Sequence, residues 1–326
     1  MMAMVKAFSY GSGSFEVANV LQFNNVDYLT VAFVDEGSEL RRAGVKLPIM
    51  VLSPHESAFD DIMQYNIEPE IYSLRILKAF VEYLRDQNIQ NYPIHLKLDT
   101  GMHRLGFMES EIEDLLDILI NNKEVKVVSA FSHLVGAGSK DLIDFTAHQI
   151  TVYNTIVNKI KNALRYDFIR HICNTSGITQ YPEAHMDMVR LGIGLYGYDM
   201  SSQDLDLEEV GILKTTITQI KHIPKTETVG YDRKGVLTRD SIIATVKIGY
   251  ADGYNRRFGN GVGEMLVNGQ MVRTVGNICM DMCMLDVTDV YANEGNEVIV
   301  FPDVTQASRR IGTIPYELLT GISSRV

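Results

Sequence analysis

A lysine close to the start of the chain stands where enzymes built on parallel strands collect their reactive groups. Lys6 follows a short apolar segment, residues 2–5, and precedes a turn marked by Gly11 and Gly13. Glycine lets the backbone turn tightly into a following helix, and parallel barrels place catalytic side chains at the carboxyl ends of their strands. Lys6 is therefore a candidate nucleophilic amine. A lysine that snorkels from a strand end is the alternative.

Residues 94–99 form a second polar strand end. Alternation along a strand places His95, Lys97 and Asp99 on one face and the two leucines on the other. The turn that follows carries another cation, Arg104. A solvated strand edge would have the same pattern, but both faces of a barrel strand are covered. An inward-facing lysine therefore requires a polar or charged partner.

Small hydroxyl, amide and glycine residues follow three later strands. These segments are Ser132-His133, Asn174-Thr175-Ser176-Gly177 and Arg190-Leu191-Gly192-Ile193-Gly194. Phosphate is held by directed hydrogen-bond donors, which hydroxyl groups and glycine N–H groups supply. The sequence therefore predicts a phosphate site at the carboxyl ends of the late strands.

Composition restricts the class of protein. The 326 residues are 46% apolar, enough to bury a large core, and this length favours two domains over one. The formal charge of −11 argues against a nucleic-acid or anionic-membrane surface, which would require a basic patch. Cys173, Cys279 and Cys283 form neither a C-x-x-C pair nor an even framework. We expect no metal site, no disulfide scaffold, no signal or membrane-spanning segment, and a cytoplasmic location.

The first 200 residues alternate short apolar runs with amphipathic helical stretches, the pattern of repeated βα units. Helices are expected at residues 35–43, closed by Gly44, and at residues 76–87. The pattern favours a (β/α)8 barrel of the TIM type over a doubly wound sheet, because no G-x-G-x-x-G follows the first strand. The eight expected strands cover residues 2–5, 28–32, 49–52, 68–72, 94–98, 125–131, 168–173 and 188–191.

The sequence becomes mainly β in character from residue 201 onward. A polar loop, residues 201–209, leads from the predicted barrel domain, residues 1–200, into a predicted β domain, residues 201–326. Asn268-Gly269 predicts a two-residue hairpin turn, and Pro315 opens one late helical turn at residues 314–319. The β-branched runs cover residues 213–223, 241–248, 264–275, 283–287 and 297–301.

Five motifs, taken together, connect the chain to a known family. They are Val5-Lys6-Ala7 with Tyr10-Gly11, Lys97-Leu98-Asp99-Thr100-Gly101-Met102 with Arg104-Leu105-Gly106, Val189-Arg190-Leu191-Gly192-Ile193, Gly249-Tyr250-Ala251-Asp252-Gly253, and Cys279-Met280-Asp281. Through them nearly the whole chain resembles the alanine racemases, pyridoxal-phosphate enzymes with a barrel and a β domain. The sequence of residues 6–13 is most similar to the racemase half of proteins in which a racemase is fused to the muramoyl-tripeptide/D-alanyl-D-alanine ligase.

The resemblance implies a homodimer that interconverts L- and D-alanine for peptidoglycan by a two-base mechanism. Lys6 would carry the cofactor as a Schiff base and serve one face of the α-carbon, and Tyr231 of a second subunit would serve the other. Without the resemblance, Tyr231 would be an ordinary strand tyrosine, because a phenol with a pKa of about 10 is a poor base near neutral pH. Arg190 would face the pyridine nitrogen, with His133 in support. The other implied cofactor ligands are Tyr10, Asn174, Thr175, Gly192, Ile193 and Tyr316; the implied substrate contacts are Arg104, Tyr250 and Met280, with Asp281 and a carbamate on Lys97 in support.

The chain departs from the family pattern at its ends. The family has a strand and a helix before the lysine strand and continues a little past the position of Val326, whereas this chain begins a few residues before Lys6. Without that helix we expect apolar surface to be exposed between the eighth and first strands. Two alternatives share the resemblance: another barrel-type pyridoxal-phosphate enzyme, such as a broad-specificity racemase, a decarboxylase or a D-threonine aldolase, and a protein that binds the cofactor without turnover. Tyr231 and the β domain favour racemisation.

Overall fold

The structure of the protein is a computed structural model that describes residues 1–201 and 206–326. The chain forms two compact units. The first comprises Met1–Ser9 and Ser14–Glu208, and the second comprises Tyr10–Gly13 and Glu209–Val326. Residues 202–205 of the predicted polar loop lie outside the described residues.

Parallel strands form the sheet of the first unit, which confirms the predicted (β/α)8 class. The strands are β1 (Met2–Met4), β2 (Tyr28–Val31), β3 (Ile49–Val51), β4 (Glu68–Ile71), β5 (Tyr92–Lys97), β6 (Val125–Phe131), β7 (Ile169–His171) and β8 (Arg190–Leu191). Their order in the sheet is β7-β6-β5-β4-β3-β2-β1-β8. Backbone hydrogen bonds from Asp187 N to Arg170 O (3.2 Å) and from Arg190 N to Cys173 O (3.0 Å) join the two ends of this sheet. The strands therefore close into a barrel.

Helices and short 3₁₀ turns connect the strands. The predicted helix at residues 76–87 begins two residues earlier, because the Ser73 hydroxyl caps it by accepting the N–H of Ile76 at 3.4 Å. Among the described residues, every helix is too short or too polar to cross a lipid bilayer. The helices are Ser14–Phe23, Val34–Arg42, Phe59–Gln64, Leu74–Asp86, Ile112–Asn121, Ile143–Leu164 and Thr175–Gln180, and the 3₁₀ turns are Glu56–Ala58, Glu109–Glu111, Lys140–Leu142, Pro182–Ala184 and Ile193–Tyr196.

A further short helix, Lys6–Gly11, is left-handed, and we call it the left-handed turn. The sequence places the turn at Gly11 and Gly13, but residues 7–10 already have φ angles between 49° and 55°. Each of these four residues carries a Cβ, and the left-handed helical conformation costs such a residue about 1–2 kcal/mol. Neighbouring contacts must therefore stabilise the turn.

The Glu36 carboxylate supplies such contacts. Its Oε1 accepts the N–H of Ala7 at 2.6 Å, and its Oε2 accepts the N–H groups of Ala32 at 2.6 Å and Phe33 at 3.1 Å. One side chain therefore joins the left-handed turn to the end of β2 and caps the helix that starts at Val34.

The second unit is mainly antiparallel sheet. Its strands are β9 (Lys214–Ile223), β10 (Thr228–Val229), β11 (Gly235–Val236), β12 (Ser241–Val246), β13 (Glu264–Val267), β14 (Gln270–Arg273), β15 (Cys283–Asp286) and β16 (Glu297–Ile299). Six of them form one sheet in the order β14-β13-β16-β9-β12-β15, and β10 pairs with β11. The predicted hairpin turn is confirmed: Val267 pairs with Gln270, and Asn268 and Gly269 both have positive φ. Short 3₁₀ turns cover Tyr231–Arg233 and Arg256–Phe258.

Two helices close the second unit. Pro315–Thr320 opens at Pro315, as the sequence predicts. The sequence does not predict Val304–Arg310, a seven-residue helix that is too short for a clear apolar period. Its start is set by Asp303, whose side chain accepts the N–H of Gln306 at 2.8 Å.

Glu36→Ala should lower the free energy of unfolding by about 2–3 kcal/mol, because three backbone N–H groups lose a charged acceptor. Asp35→Ala is the matched control, since Asp35 lies exposed in the same first helical turn. Urea unfolding of the two variants measures the difference. Equal losses would mean that Glu36 stabilises only through its charge at the helix start.

Candidate active site

Lys6 lies two residues beyond the end of β1. Burial and the nearby Arg104 guanidinium lower the pKa of its amine, and the carboxylates of Glu36 and Glu70 oppose that change. A lowered pKa increases the fraction of neutral, nucleophilic amine near neutral pH.

Glu70 is a buried carboxyl group that sequence reasoning missed. It is 2% exposed and lies among Lys97, Arg190, Arg104 and Lys6, all of which favour its charged form. Burial nevertheless raises the pKa of Glu70 to about 7. Burial also lowers the pKa of Lys97 to about 8, with Glu70 acting against that change. Alternation along residues 68–71, which places both glutamates on one strand face, is the signal that could have found it.

The guanidinium of Arg190 is 4% exposed and is held on several sides. Its Nη1 donates to Nδ1 and to the carbonyl of His171, at 2.9 and 3.1 Å. Its Nη2 donates to the carbonyls of Ser132 and Ile172, at 2.5 and 3.0 Å. The Nε–H has no acceptor among the described residues, so this donor remains available to a ligand. Burial lowers the pKa of Arg190 to about 10, which leaves it protonated near neutral pH.

An aromatic ring and two imidazoles surround these cations. The ring of Phe131 lies 4.4 Å from Lys97 Nζ and 5.2 Å from the Arg190 guanidinium carbon, and it stacks on His171 at 4.9 Å. His133 Nδ1 lies 3.5 Å from Arg190 Nη2. Burial, followed by Arg190, lowers the pKa of both His133 and His171 well below the usual value, so both rings are neutral at physiological pH.

A small polar cradle follows β7 and β8. The hydroxyl oxygen of buried Thr175 accepts the N–H groups of Gly192 and Gly194, each at 3.2 Å. Its hydroxyl hydrogen has no acceptor among the described residues. A Cβ at Gly194 would lie 2.6 Å from the Thr175 methyl, so this position requires glycine. Asn174 caps the helix that begins at Thr175, and Ile193 is buried beside the cradle.

Arg104 is exposed on the loop that follows β5. The Asp99 carboxylate shapes this loop by accepting the N–H groups of Gly101 at 2.9 Å and His103 at 3.1 Å. Gly106 has φ of 125°, and a Cβ there would lie 2.8 Å from the backbone nitrogen of Asp99. The loop that carries the guanidinium therefore depends on close backbone approach.

Tyr10 and Tyr316 come together in the second unit. Their ring centres are 5.9 Å apart, with the planes tilted by 45°. Burial, followed by Tyr316, raises the pKa of Tyr10, so its phenol stays protonated and able to donate.

The two motifs around Tyr250 and Met280 are bonded to each other. Tyr250 N donates to Cys279 O at 3.0 Å, and Ala251 N donates to Met280 O at 3.0 Å. The side chains of Tyr250 and Met280 are 43% and 54% exposed, so both are available to a ligand.

Asp281 forms an ion pair that sequence reasoning did not identify. Arg325 donates to the carboxylate of Asp281 and, at 2.6 Å, to that of Asp252. Asp252 in turn accepts the N–H of Gly249 at 2.8 Å. Arg325 therefore ties together the two motifs that carry Tyr250 and Met280.

Tyr231 projects from a strained turn of the second unit. Its side chain is 67% exposed. Gly230, Asp232 and Arg233, which flank it, all have positive φ, and Asn277 donates to the Tyr231 carbonyl at 3.4 Å. Such a turn holds the phenol away from its own unit and open to an approaching group.

Two family models match the chain. The model described as "Alanine racemase, N-terminal domain" matches residues 1–200, and the model described as "Alanine racemase, C-terminal domain" matches residues 210–326. The chain belongs to the alanine racemase family. This is a family of isomerases that depend on pyridoxal phosphate.

Individual alanine racemases are similar over the whole chain. The protein named "Alanine racemase" from Clostridium tetani is 37% identical over 340 residues, which cover 100% of this chain and 87% of that protein. A solved alanine racemase from Clostridium difficile is 32% identical, with a TM-score of 0.92 and coverage of 100% of this chain and 87% of that chain. A Bartonella henselae alanine racemase solved "with covalently bound pyridoxal phosphate" is 26% identical, with a TM-score of 0.87 and coverage of 99% and 90%. None of these names mentions a ligase.

The barrel residues have the donor set that pyridoxal phosphate requires. Lys6 offers an amine of lowered pKa to an aldehyde, and Arg190 has a free Nε–H that suits a ring nitrogen. The Thr175 hydroxyl hydrogen, which has no acceptor among the described residues, suits a phosphate oxygen. The site therefore fits the cofactor of the family.

Glu70→Gln should change how stability depends on pH. The folded-state pKa of Glu70, about 7, lies above the ordinary glutamate value of 4.5, so the folded protein binds an extra proton within this window. The parent should therefore lose stability relative to Glu70→Gln as the pH rises from 4.5 to 7, by up to about 1.4 kcal/mol for each pH unit of the window.

Denaturant unfolding at a series of pH values tests this expectation, with Glu82→Gln as the control for removing one carboxylate from an exposed helix face. A constant stability gap between the parent and Glu70→Gln across the window would contradict a raised pKa at Glu70.

Proposed function

We propose that the protein interconverts L-alanine and D-alanine, with Lys6 and Tyr231 as the two acid/base groups, and supplies D-alanine for peptidoglycan. The observation that carries this proposal is the fixed Arg190, whose Nε–H alone lacks an acceptor among the described residues. A guanidinium does not readily give up its proton, so a ring nitrogen facing it stays unprotonated and withdraws electrons less strongly. That arrangement favours return of a proton to the α-carbon over transamination.

The barrel would hold the cofactor at three points. Lys6 would be the attachment point, Arg190 would donate to the ring nitrogen with His133 behind it, and Thr175 would donate to the phosphate. When bound, pyridoxal phosphate supplies an electron sink that weakens the bond between the α-carbon of the amino acid and its hydrogen. The remaining proposed phosphate and ring contacts are Tyr10, Asn174, Gly192, Ile193 and Tyr316.

Two groups would move the proton. The Lys6 amine, once free of the cofactor, would hold the proton on one face of the α-carbon. Tyr231 of a second copy of the chain would hold it on the opposite face. The exposure of the Tyr231 side chain supports this role, because a group that serves another subunit must project outward. A homodimer with shared sites follows from this assignment.

A positive charge on the barrel would orient the substrate by its carboxylate. Arg104 would bind the carboxylate of alanine, and Tyr250 and Met280 would limit the size of its side chain, with Asp281 holding their two motifs in place. The resemblance to the family implies a carbamate on Lys97 as the anion that balances Arg104. Glu70 already places a carboxyl group beside Lys97, so mass spectrometry of the intact protein is needed to decide whether Lys97 is modified.

The proposal includes a cytoplasmic location for the protein and a fusion with a ligase. A cytoplasmic location is supported by the free cysteines Cys173, Cys279 and Cys283. The finer similarity to a ligase fusion stays a prediction, which the coding sequence upstream of Met1 tests.

Lys6→Ala should abolish covalent attachment of pyridoxal phosphate, because it removes the amine that lies just beyond the end of β1. Borohydride reduction followed by peptide mass spectrometry locates the cofactor, and Lys126→Ala, at an exposed position of β6, is the control. Attachment that survives in Lys6→Ala would remove Lys6 from the proposal.

Tyr231→Phe should keep cofactor binding and slow racemisation by about 10²- to 10⁴-fold, the usual loss for one acid/base group. D-alanine formation from L-alanine measures the rate. Tyr291→Phe, at another exposed tyrosine of the second unit, should retain the parent rate. If Tyr231→Phe also keeps that rate, the tyrosine takes no part in proton transfer. A cofactor-binding protein without D-alanine formation would contradict the proposed activity itself.

A further inference from the structure

A continuous line of hydrogen bonds crosses the interior of the barrel. It runs from Arg190 Nη1 to His171 Nδ1 (2.9 Å), from His171 Nε2 to Ser129 Oγ (3.0 Å), from Ser129 Oγ to His95 Nδ1 (2.6 Å), and from His95 Nε2 to Glu68 Oε2 (2.9 Å). One residue comes from each of β8, β7, β6, β5 and β4. We call these five residues the polar relay.

The relay is enclosed except at its far end. His171, Ser129 and His95 are each 0% exposed, and Arg190 is 4% exposed. The Glu68 side chain is 17% exposed, at the first residue of β4, and therefore lies toward the amino end of the barrel. The relay thus joins the buried guanidinium of Arg190 to a carboxylate that is partly exposed at the start of β4.

The two ends determine which atoms carry the hydrogens. Arginine can only donate, so His171 Nδ1 must accept and His171 Nε2 must carry the ring hydrogen. An ionised Glu68 can only accept, so His95 Nε2 carries its ring hydrogen and Nδ1 accepts. Ser129 then accepts from His171 and donates to His95. Each of the three middle members, His171, Ser129 and His95, then uses one donor and one acceptor.

A hydrogen on Nδ1 of His95, in place of Nε2, would leave Ser129 without a complete set of hydrogen bonds. If His95 carried its hydrogen on Nδ1, that hydrogen and the one on His171 Nε2 would both point at Ser129 Oγ. The hydroxyl hydrogen of Ser129 would then have no acceptor in the relay, which is costly in a fully buried position. Burial and Arg190 also lower the pKa of His171 well below its usual value, so the ring is neutral and its Nδ1 lone pair is free to accept.

We propose that Glu68 and Ser129 are positioning residues for Arg190. Through His95 they hold His171 as the Nε2–H tautomer, with its Nδ1 lone pair turned to the guanidinium, and this fixes the direction of the Arg190 Nε–H. The part of the proposal that concerns the cofactor rests on the proposed function, since the Nε–H would face the ring nitrogen of pyridoxal phosphate. The tautomers of His95 and His171 depend on neither cofactor nor turnover.

Ring-nitrogen ¹⁵N NMR of histidine-labelled protein, as purified, tests the hydrogen order directly. His95→Gln and the parent spectrum together assign the His95 signals, and His171→Gln assigns those of His171. The relay requires that both rings carry hydrogen on Nε2 in the parent. A hydrogen on Nδ1 of either ring would overturn the proposal. This measurement tests the hydrogen positions on His95 and His171 without any need for cofactor or activity. Failure to bind pyridoxal phosphate or to racemise alanine would contradict the proposed function and leave this test valid.

Kinetics of the holoenzyme test the positioning role. Ser129→Ala and Glu68→Leu each remove a link, and each should lower kcat for alanine by about 10- to 100-fold with KM within about twofold, as expected for a misplaced group. Glu68→Gln keeps an acceptor for His95 and should restore kcat to within about twofold of the parent. The absorbance band of the bound cofactor should shift in Ser129→Ala and Glu68→Leu and remain in place in Glu68→Gln.

Tyr28→Phe is the matched control. The Tyr28 hydroxyl donates to the same Glu68 Oε2 at 3.3 Å but lies outside the relay, so its removal disturbs the same carboxylate without interrupting the relay. Tyr28→Phe should keep the parent kcat and absorbance band. Equal losses of kcat in all four variants, or a parent-like kcat and absorbance band in Ser129→Ala and Glu68→Leu, would overturn the positioning role.

Discussion

Positive charge held away from water at the mouth of the barrel is the constraint on which the site depends. Lys97 and Arg190 are almost fully buried, and Lys6 and Arg104 act on the same groups. Burying unpaired charge costs several kcal/mol per ion, so the fold must provide partners. It provides one buried carboxyl group, Glu70, and neutral acceptors. The compensation is incomplete, and for that reason the pKa values of both lysine amines are lowered, which is the property that a reactive amine needs.

Barrel geometry explains where the neutral acceptors come from. Carbonyl groups at the carboxyl ends of parallel strands have no further strand residues to pair with, and they all lie at one end of the barrel. Arg190 uses the carbonyls of Ser132, His171 and Ile172, which lie at or just beyond the ends of β6 and β7. A planar guanidinium can satisfy several fixed acceptors at once, and an ammonium group cannot reproduce that fork. The identity of residue 190 thus follows from the architecture as much as from the chemistry.

Much of the fold could be predicted because each element has a regular pattern. Period-two and helical spacings locate the barrel strands, and strand ends point to Lys6, Lys97 and Arg190. Glu36 could not be found in this way, because a single glutamate has no periodic signal and the N–H of Ala7 that it accepts is distant in sequence. Alternation places Glu68 and Glu70 on one strand face, but it does not identify their partners, which lie on other strands. The left-handed turn was hidden for a related reason. Residues 7–10 have no local preference for that conformation, and only contacts made by the folded barrel select it.

The isolated chain avoids the conformation of residues 7–10. The turn can therefore persist only after β1, β2 and the Glu36 carboxylate have come together. In the nascent polypeptide Lys6 is an ordinary hydrated ammonium group with a pKa of about 10.4, poorly reactive toward aldehydes at cellular pH. The nucleophile comes into existence with the native state. The capacity of Lys6 to capture an aldehyde near neutral pH is in this way coupled to folding, because only the folded chain lowers the pKa of its amine.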